Sequence, residues 1–170
     1  MQRVMIVGGP GSGKSTLARA LGARTGLPVV HVDKIHWLPG WVERSKAEKS
    51  RLAHIEEAKP EWIFEGSLTA TWPHRAARAD TLIWLDLNVS LRLWRVSKRI
   101  FQHYGRSRPD LTDGCRESIR WDTFDFYRFI WRTRHTRGVA IRKLIATHAH
   151  LTVHHLQNRK DVAAFMAGFK

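Results

Sequence analysis

Short apolar runs and longer stretches with helical spacing take turns along the whole chain. Residues 4–7, 27–32, 62–64, 81–85 and 151–156 are runs of strand length, the first four closed by Gly, Asp or Glu, and they read as five buried strands. Helical patterns occupy residues 14–24, 43–59, 90–103, 117–147 and 161–169; Gly26 stops the first, and Gly138 offers a break in the fourth. Strands alternating with helices in this way predict a parallel sheet with helices on both faces, an α/β fold. No internal repeat, low-complexity tract or linker divides the sequence, so residues 1–170 predict one domain.

Composition narrows the class. At 170 residues and 43% apolar content the chain can bury one sizeable core. No stretch approaches the roughly 18 consecutive apolar residues of a membrane-spanning helix, and the amino terminus lacks the pattern of a secretory signal. Cys115 is the single cysteine, which excludes an intrachain disulfide and suits a reducing, cytoplasmic setting. The net charge is +14, and the excess is concentrated between Arg92 and Lys143, where 14 Lys and Arg face 5 Asp and Glu. Such a field suits nucleotide phosphates, nucleic acid or a solvated basic helix face, and charge alone does not choose among them.

Gly8-Gly9-Pro10-Gly11-Ser12-Gly13-Lys14-Ser15 follows the first strand and opens the first helix. It fits G-x-x-x-x-G-K-[ST] in full, a match expected by chance in roughly one chain in a hundred of this length. Glycines let successive backbone N–H groups turn inward, and the helix N-terminus adds its partial positive charge at the same spot. A di- or triphosphate fits there, with Lys14 reaching its terminal oxygens and Ser15 ligating Mg²⁺; Thr16 completes the set expected to hold ATP.

Ligands of an open parallel sheet sit beyond the carboxyl ends of the strands, which directs attention to Asp33, Glu65 and Asp86. Asp33 is assigned to positioning or deprotonating an acceptor hydroxyl, Glu65 to holding Mg²⁺ through its water, and Asp86 stands second to Glu65. Arginines that neutralise a transferring phosphoryl group are sought among Arg95, Arg99, Arg106, Arg108, Arg132, Arg134 and Arg137, the first four being preferred. The polar loop at about residues 104–115 reads as a lid carrying Arg106 and Arg108, and about 34–60 as the segment covering the acceptor. Trp37 and Trp41 bracket a Pro-Gly turn in that segment, where an indole can stack on a base or pack beneath the loop. Trp62, Trp84 and Trp131 are assigned to the core. The histidines at positions 148, 150, 154 and 155 show no metal-ligand spacing.

With the phosphate loop, the run His31-Val32-Asp33-Lys34-Ile35-His36-Trp37-Leu38-Pro39-Gly40-Trp41 resembles the bacterial DNA topology modulation proteins, a branch of the adenylate-kinase-like P-loop kinases. Trp62-Ile63-Phe64-Glu65-Gly66, Arg75-Ala76-Ala77-Arg78-Ala79-Asp80, Trp94-Arg95-Val96-Ser97-Lys98-Arg99 and Arg106-Ser107-Arg108-Pro109-Asp110 extend the likeness across residues 3–137. The resemblance implies a P-loop NTPase three-layer sandwich with a five-stranded parallel sheet, a lid supplying arginines, and Arg75 as an acceptor-side contact. Glu65-Gly66-Ser67-Leu68 departs from the family, which carries Asp-Gly followed by Asn-Tyr. The expectation is therefore a kinase moving the γ-phosphoryl group of ATP to a small acceptor, a nucleotide or nucleoside. The alternative is a nucleotide-sensing regulator that grips nucleic acid with the basic middle third.

Overall fold

A computed structural model describes residues 1–118 and 121–169, with Trp121 and Asp122 described in backbone alone. Strand β1 (Arg3–Gly8) leads through the glycine loop into helix α1 (Lys14–Thr25), which Gly26 ends in a left-handed conformation. There follow β2 (Val29–His31), the short helix α2 (Val32–His36), a hairpin of β3 (Trp37–Leu38) and β4 (Val42–Glu43), and α3 (Lys46–Glu57). Next come β5 (Trp62–Glu65), α4 (Trp72–Arg78), β6 (Thr81–Leu85), α5 (Val89–Gln102), α6 (Trp121–Arg132), α7 (Thr136–Ala146), β7 (Thr152–Leu156) and α8 (Arg159–Ala167).

Five strands form one sheet in the order β2-β5-β1-β6-β7, and every neighbouring pair is parallel. Side chains alternate across its faces. Val4 and Ile6 of β1 turn to the layer of α1 and α8, where they meet Leu17, Leu21, Ile63, Ile83 and Phe165. Met5 and Val7 turn the other way, where with Trp62, Phe64 and Trp84 of the neighbouring strands they meet Val32, Ala53, Ala76 and Ile141 of the layer built by α2, α3, α4 and α7. A third cluster joins α5 to α6 through Val96, Ile100 and Ile130. The α/β reading and all five strands are borne out.

Several local expectations are corrected. The second strand ends at His31, and Val32 with Asp33 already belongs to α2. Val32 is apolar because it packs beneath Gly66, where an added Cβ would lie 2.5 Å from it. The expected 117–147 helix is interrupted at residues 133–135 rather than at Gly138, and residues 119 and 120 lie outside the described residues. Trp62 and Trp84 are core residues as expected, but Trp131 is half exposed with the Arg134 guanidinium 4.3 Å above its ring. No helix among the described residues is long and apolar enough to cross a membrane.

Candidate active site

The phosphate loop is shaped before any ligand arrives. Gly8, Gly11 and Gly13 have φ of 149°, 75° and 95°, values that side-chain-bearing residues rarely adopt. A Cβ on Gly8 would fall 2.5 Å from the Leu85 carbonyl, so strand β6 closes against the loop. The amide of Ser12 donates to the Gly9 carbonyl (3.2 Å), and Lys14 Nζ reaches back to the same oxygen (3.0 Å). The lysine is thereby held across the loop.

Helix α5 braces the loop from outside. Arg92 Nε donates to the Pro10 carbonyl (3.1 Å) and Arg95 Nη1 to that of Ser12 (3.1 Å). A Cβ on Gly9 would fall 2.4 Å from the Arg92 guanidinium, so any larger residue there would displace that side chain. Arg92 was missed by the sequence reading, although it lies one turn before Arg95 on the same helix face. Its Nη2, like Nε and Nη1 of Arg137, is buried with no hydrogen-bond partner. Both guanidiniums, after burial itself, help push the Lys14 ammonium below its ordinary pKa, against the opposite pull of Glu65 and Asp33. Buried cations with donors left unfilled are costly unless an acceptor meets them.

Beyond the loop lies a cleft of about 1320 Å³, lined by residues 10–16 together with Asp33, Trp37, Trp41, Glu65, Arg95, Arg99, Arg108 and Asp110. That exceeds the volume of a usual single-ligand pocket, about 300–1,000 Å³, and leaves room for two molecules. Glu65 ends β5 directly opposite His31 of β2, and the His31 Nδ1 to Glu65 Oε1 distance is 2.7 Å in a buried pair. Burial, then the charge of Glu65, raises the Asp33 carboxyl above its usual pKa, with Arg108 and Lys14 opposing. Asp86, by contrast, lies outside the cleft, bound to His155 Nε2 at 3.0 Å.

The lid segment folds down onto this cleft. Arg108 is buried; its Nη1 donates to Asp110 Oδ2 (2.8 Å), and its Nε lies 2.8 Å from Glu117 Oε1. Arg99 Nε lies 3.2 Å from that same Glu117 oxygen. Neither Nε–H points along its short distance, so both arginines keep an unfilled donor. Burial pushes the Asp110 carboxyl up, but Arg108, a backbone amide and the Ser15 hydroxyl together hold it below its ordinary pKa. Asp110 therefore joins the lid to the loop, a contact that the sequence reading did not single out. Across the cleft, Thr112 Oγ1 donates to the Trp37 carbonyl (2.7 Å), Cys115 Sγ to that of Leu38 (3.3 Å), and Trp41 Nε1 to that of Arg116 (2.9 Å). Trp41 makes its contact from φ 64°, the one positive value among the described non-glycine residues.

Two expected site residues lie elsewhere. Arg106 is exposed and outside the cleft, because the lid turns it outward while Arg108 turns inward. Arg75 is fully buried: Nε meets Glu57 Oε1 at 3.0 Å, Nη2 meets Thr71 Oγ1 at 2.7 Å, and the guanidinium lies 3.8 Å above the Phe64 ring. Burial pulls its pKa to about 10, with Glu57 pulling back. It is a core ion pair in this structure, not a cleft residue. Arg132 and Arg134 likewise lie outside the cleft.

Loop, sheet order and cleft together define a P-loop NTPase fold of kinase-like form. The profile of the ATPase family associated with various cellular activities (AAA) matches residues 4–65, the part that carries the phosphate loop. Among solved structures, shikimate kinase from Acinetobacter baumannii in complex with shikimate is similar at TM-score 0.58 and 13% identity, covering 99% of this chain and 90% of that one. The deoxyadenosine kinase from M. mycoides with bound dATP is similar at TM-score 0.54 and 12% identity, over 99% of this chain and 98% of that one. Shikimate kinase from Bacteroides thetaiotaomicron aligns at TM-score 0.55 and 16% identity, over 98% and 95%. No curated protein matches the sequence.

Proposed function

We propose that the chain is a kinase that transfers the γ-phosphoryl group of ATP to a small acceptor, a nucleotide or nucleoside, in the cytoplasm. The observation that carries this reading is one cleft that brings together the phosphate loop, two arginines with unfilled Nε donors, Arg99 and Arg108, and the carboxylates Asp33 and Glu65. Kinase-like neighbours along nearly the whole chain support it.

Backbone amides of residues 8–16 hold the β- and γ-phosphates, and Lys14 leaves the Gly9 carbonyl to meet their oxygens. The donor set fits Mg²⁺: the Ser15 hydroxyl and Glu65 offer hard oxygens, and the crowding of Asp33 by Glu65 is what a divalent cation relieves. When bound, the ion neutralises charge developing on the phosphates. The Ser15 hydroxyl, by donating its hydrogen to Asp110, keeps its oxygen lone pairs free to serve as the ligand. Asp33 orients the acceptor hydroxyl and takes its proton as the acceptor oxygen bonds to the γ-phosphorus; the bond to the β,γ-bridging oxygen breaks, and ADP leaves with that electron pair. Arg95, Arg99 and Arg108 steady the moving group, and Arg106 joins them only if the lid turns. Trp37 offers the acceptor a ring to stack upon, with Trp41 at 5.4 Å edge-on behind it. Arg75 acts on the acceptor side only through the core. Likeness to the DNA topology modulation proteins is part of the same proposal.

A coupled ADP-release screen across nucleosides, nucleoside monophosphates and small hydroxyl metabolites tests this reading. ADP appearing only with a particular acceptor supports it; acceptor-independent or absent release overturns it. One observation favours a second reading, a nucleic-acid-binding regulator. Exposed Trp94 and Trp131 carry Lys98 and Arg134 at 5.2 and 4.3 Å from their rings. That reading requires DNA or RNA affinity that falls steeply with salt and no acceptor-dependent ADP.

A further inference from the structure

Outside the cleft, α3 and α4 bring three ligand-type side chains into one triangle. His54 and Glu57 share a face of α3 three residues apart, and His74 stands opposite them on α4. His54 Nδ1 lies 3.1 Å from Glu57 Oε2, His74 Nδ1 lies 2.7 Å from the same oxygen, and the two nitrogens are 3.1 Å apart. Glu57 is wholly buried, and its other oxygen accepts from Arg75 Nε at 3.0 Å. Oε2 is therefore the one carboxylate atom facing both imidazoles.

Hydrogen bonding alone satisfies this triangle poorly. If both Nδ1 atoms carry a proton toward Oε2, two N–H donors lie side by side with no bond between them. If one nitrogen is bare, its lone pair faces the other donor and the carboxylate together. A tetrahedral zinc ion with bonds of about 2.0–2.1 Å sets its donors roughly 3.3 Å apart; two of the three separations, at 3.1 Å, are close to that, and the third, at 2.7 Å, has to widen by about 0.6 Å. We propose that His54 Nδ1, His74 Nδ1 and Glu57 Oε2 form a binding site for Zn²⁺ or a similar d-block dication, with water in the fourth position.

The donor set separates this site from the cleft. Two imidazoles and one carboxylate favour zinc over magnesium, whereas the cleft offers hard oxygens. Both histidines are about half exposed, so an ion has a path in from solvent. Arg75 plays the outer-shell part by fixing the Glu57 carboxylate, while its charge keeps affinity below that of a closed four-ligand site. Among the described residues this is the group of His, Cys, Asp and Glu close enough to share an ion. Binding would tie α3 to α4 across Arg75.

The test uses the full chain, stripped of metal and free of nucleotide, titrated with Zn²⁺ against a chromophoric chelator at neutral pH. One zinc per chain is expected, weakened roughly 100-fold by His54→Ala or by His74→Ala, because two remaining ligands seldom hold zinc in water. Substituting both His148 and His150, whose rings lie 6.0 Å apart, is expected to leave the affinity unchanged. Co²⁺ in the unaltered protein is expected to show the visible absorption of a tetrahedral site, a readout that needs no variant to fold. Absence of that absorption, or zinc retained undiminished by the His54→Ala/His74→Ala double variant, overturns the proposal. Neither result bears on the kinase reading.

Discussion

Arg75 and Arg92 are both buried guanidiniums on helices packed against the same sheet, and their surroundings differ in one respect. Arg75 has the carboxylate of Glu57 and the hydroxyl of Thr71 as partners and an aromatic face beneath it, although its Nη1, like Nη2 of Arg92, lacks a hydrogen-bond partner. Arg92 has a single loop carbonyl, with Arg137 and Lys14 as further cations nearby and Asp86 as a more distant counter-charge. A buried charge is tolerated when paired and costly when not. The first arrangement has its counter-charge within the fold, and the second presents a donor that an anion would satisfy. Burial of an arginine thus says little about its job until its acceptors are counted.

Four changes separate the two regions, from the largest effect down. Lys14→Ala is expected to lower acceptor-dependent ADP release roughly 10³- to 10⁵-fold, as losing a cation from a phosphoryl-transfer site does. Near-normal turnover would remove the loop from the chemistry. Asp33→Asn is expected to cost roughly 10²- to 10⁴-fold in turnover with little change in ATP affinity; equal losses in both would make Asp33 a structural residue.

The same carboxyl gives a pH signature. Its folded pKa is raised, so its favourable contribution to stability is complete below the ordinary carboxylate range and is lost as pH rises through the raised value. At neutral pH the Asn variant should melt roughly a few degrees higher in the absence of ligand, by calorimetry. Turnover of the unaltered protein should rise through that same raised value, because the ionised form is the base.

Glu57→Gln is expected to cost about 3–5 kcal/mol in urea unfolding, since it strands the fully buried Arg75. If acceptor KM rises with stability intact, Arg75 belongs to the acceptor side after all. The smallest effect falls on the loop's outer cations. Arg92→Met or Arg137→Met should weaken ADP binding by calorimetry roughly 10- to 100-fold, matching one lost charge-assisted bond. Destabilisation exceeding the binding loss would place them with Arg75.

The phosphate loop was legible because its whole chemistry lies in eight consecutive residues flanked by a strand and a helix. The three inner strands β1, β5 and β6 were legible because they bury on both faces and read as apolar runs, whereas β2 and β7, at the sheet edges, are partly exposed and carry polar residues. Arg106 and Arg108 were indistinguishable in sequence, since only the course of the lid decides which turns inward. Arg75 was misplaced because its partner Glu57 stands 18 residues earlier on another helix. Arg92 carried a usable signal, one helical turn before Arg95, whereas the meeting of His74 with His54 and Glu57 carried none beyond the i, i+3 spacing of the latter pair. Contacts within one element were readable, and contacts between elements were not.

Thr112, Cys115 and Trp41 stitch the lid to the hairpin over the acceptor chamber by three hydrogen bonds to main-chain carbonyls. Two covers sewn along one seam move as a single flap. On the kinase reading proposed above, entry of the second substrate and departure of both products would share one door, and the parting of that seam would set the order of passage.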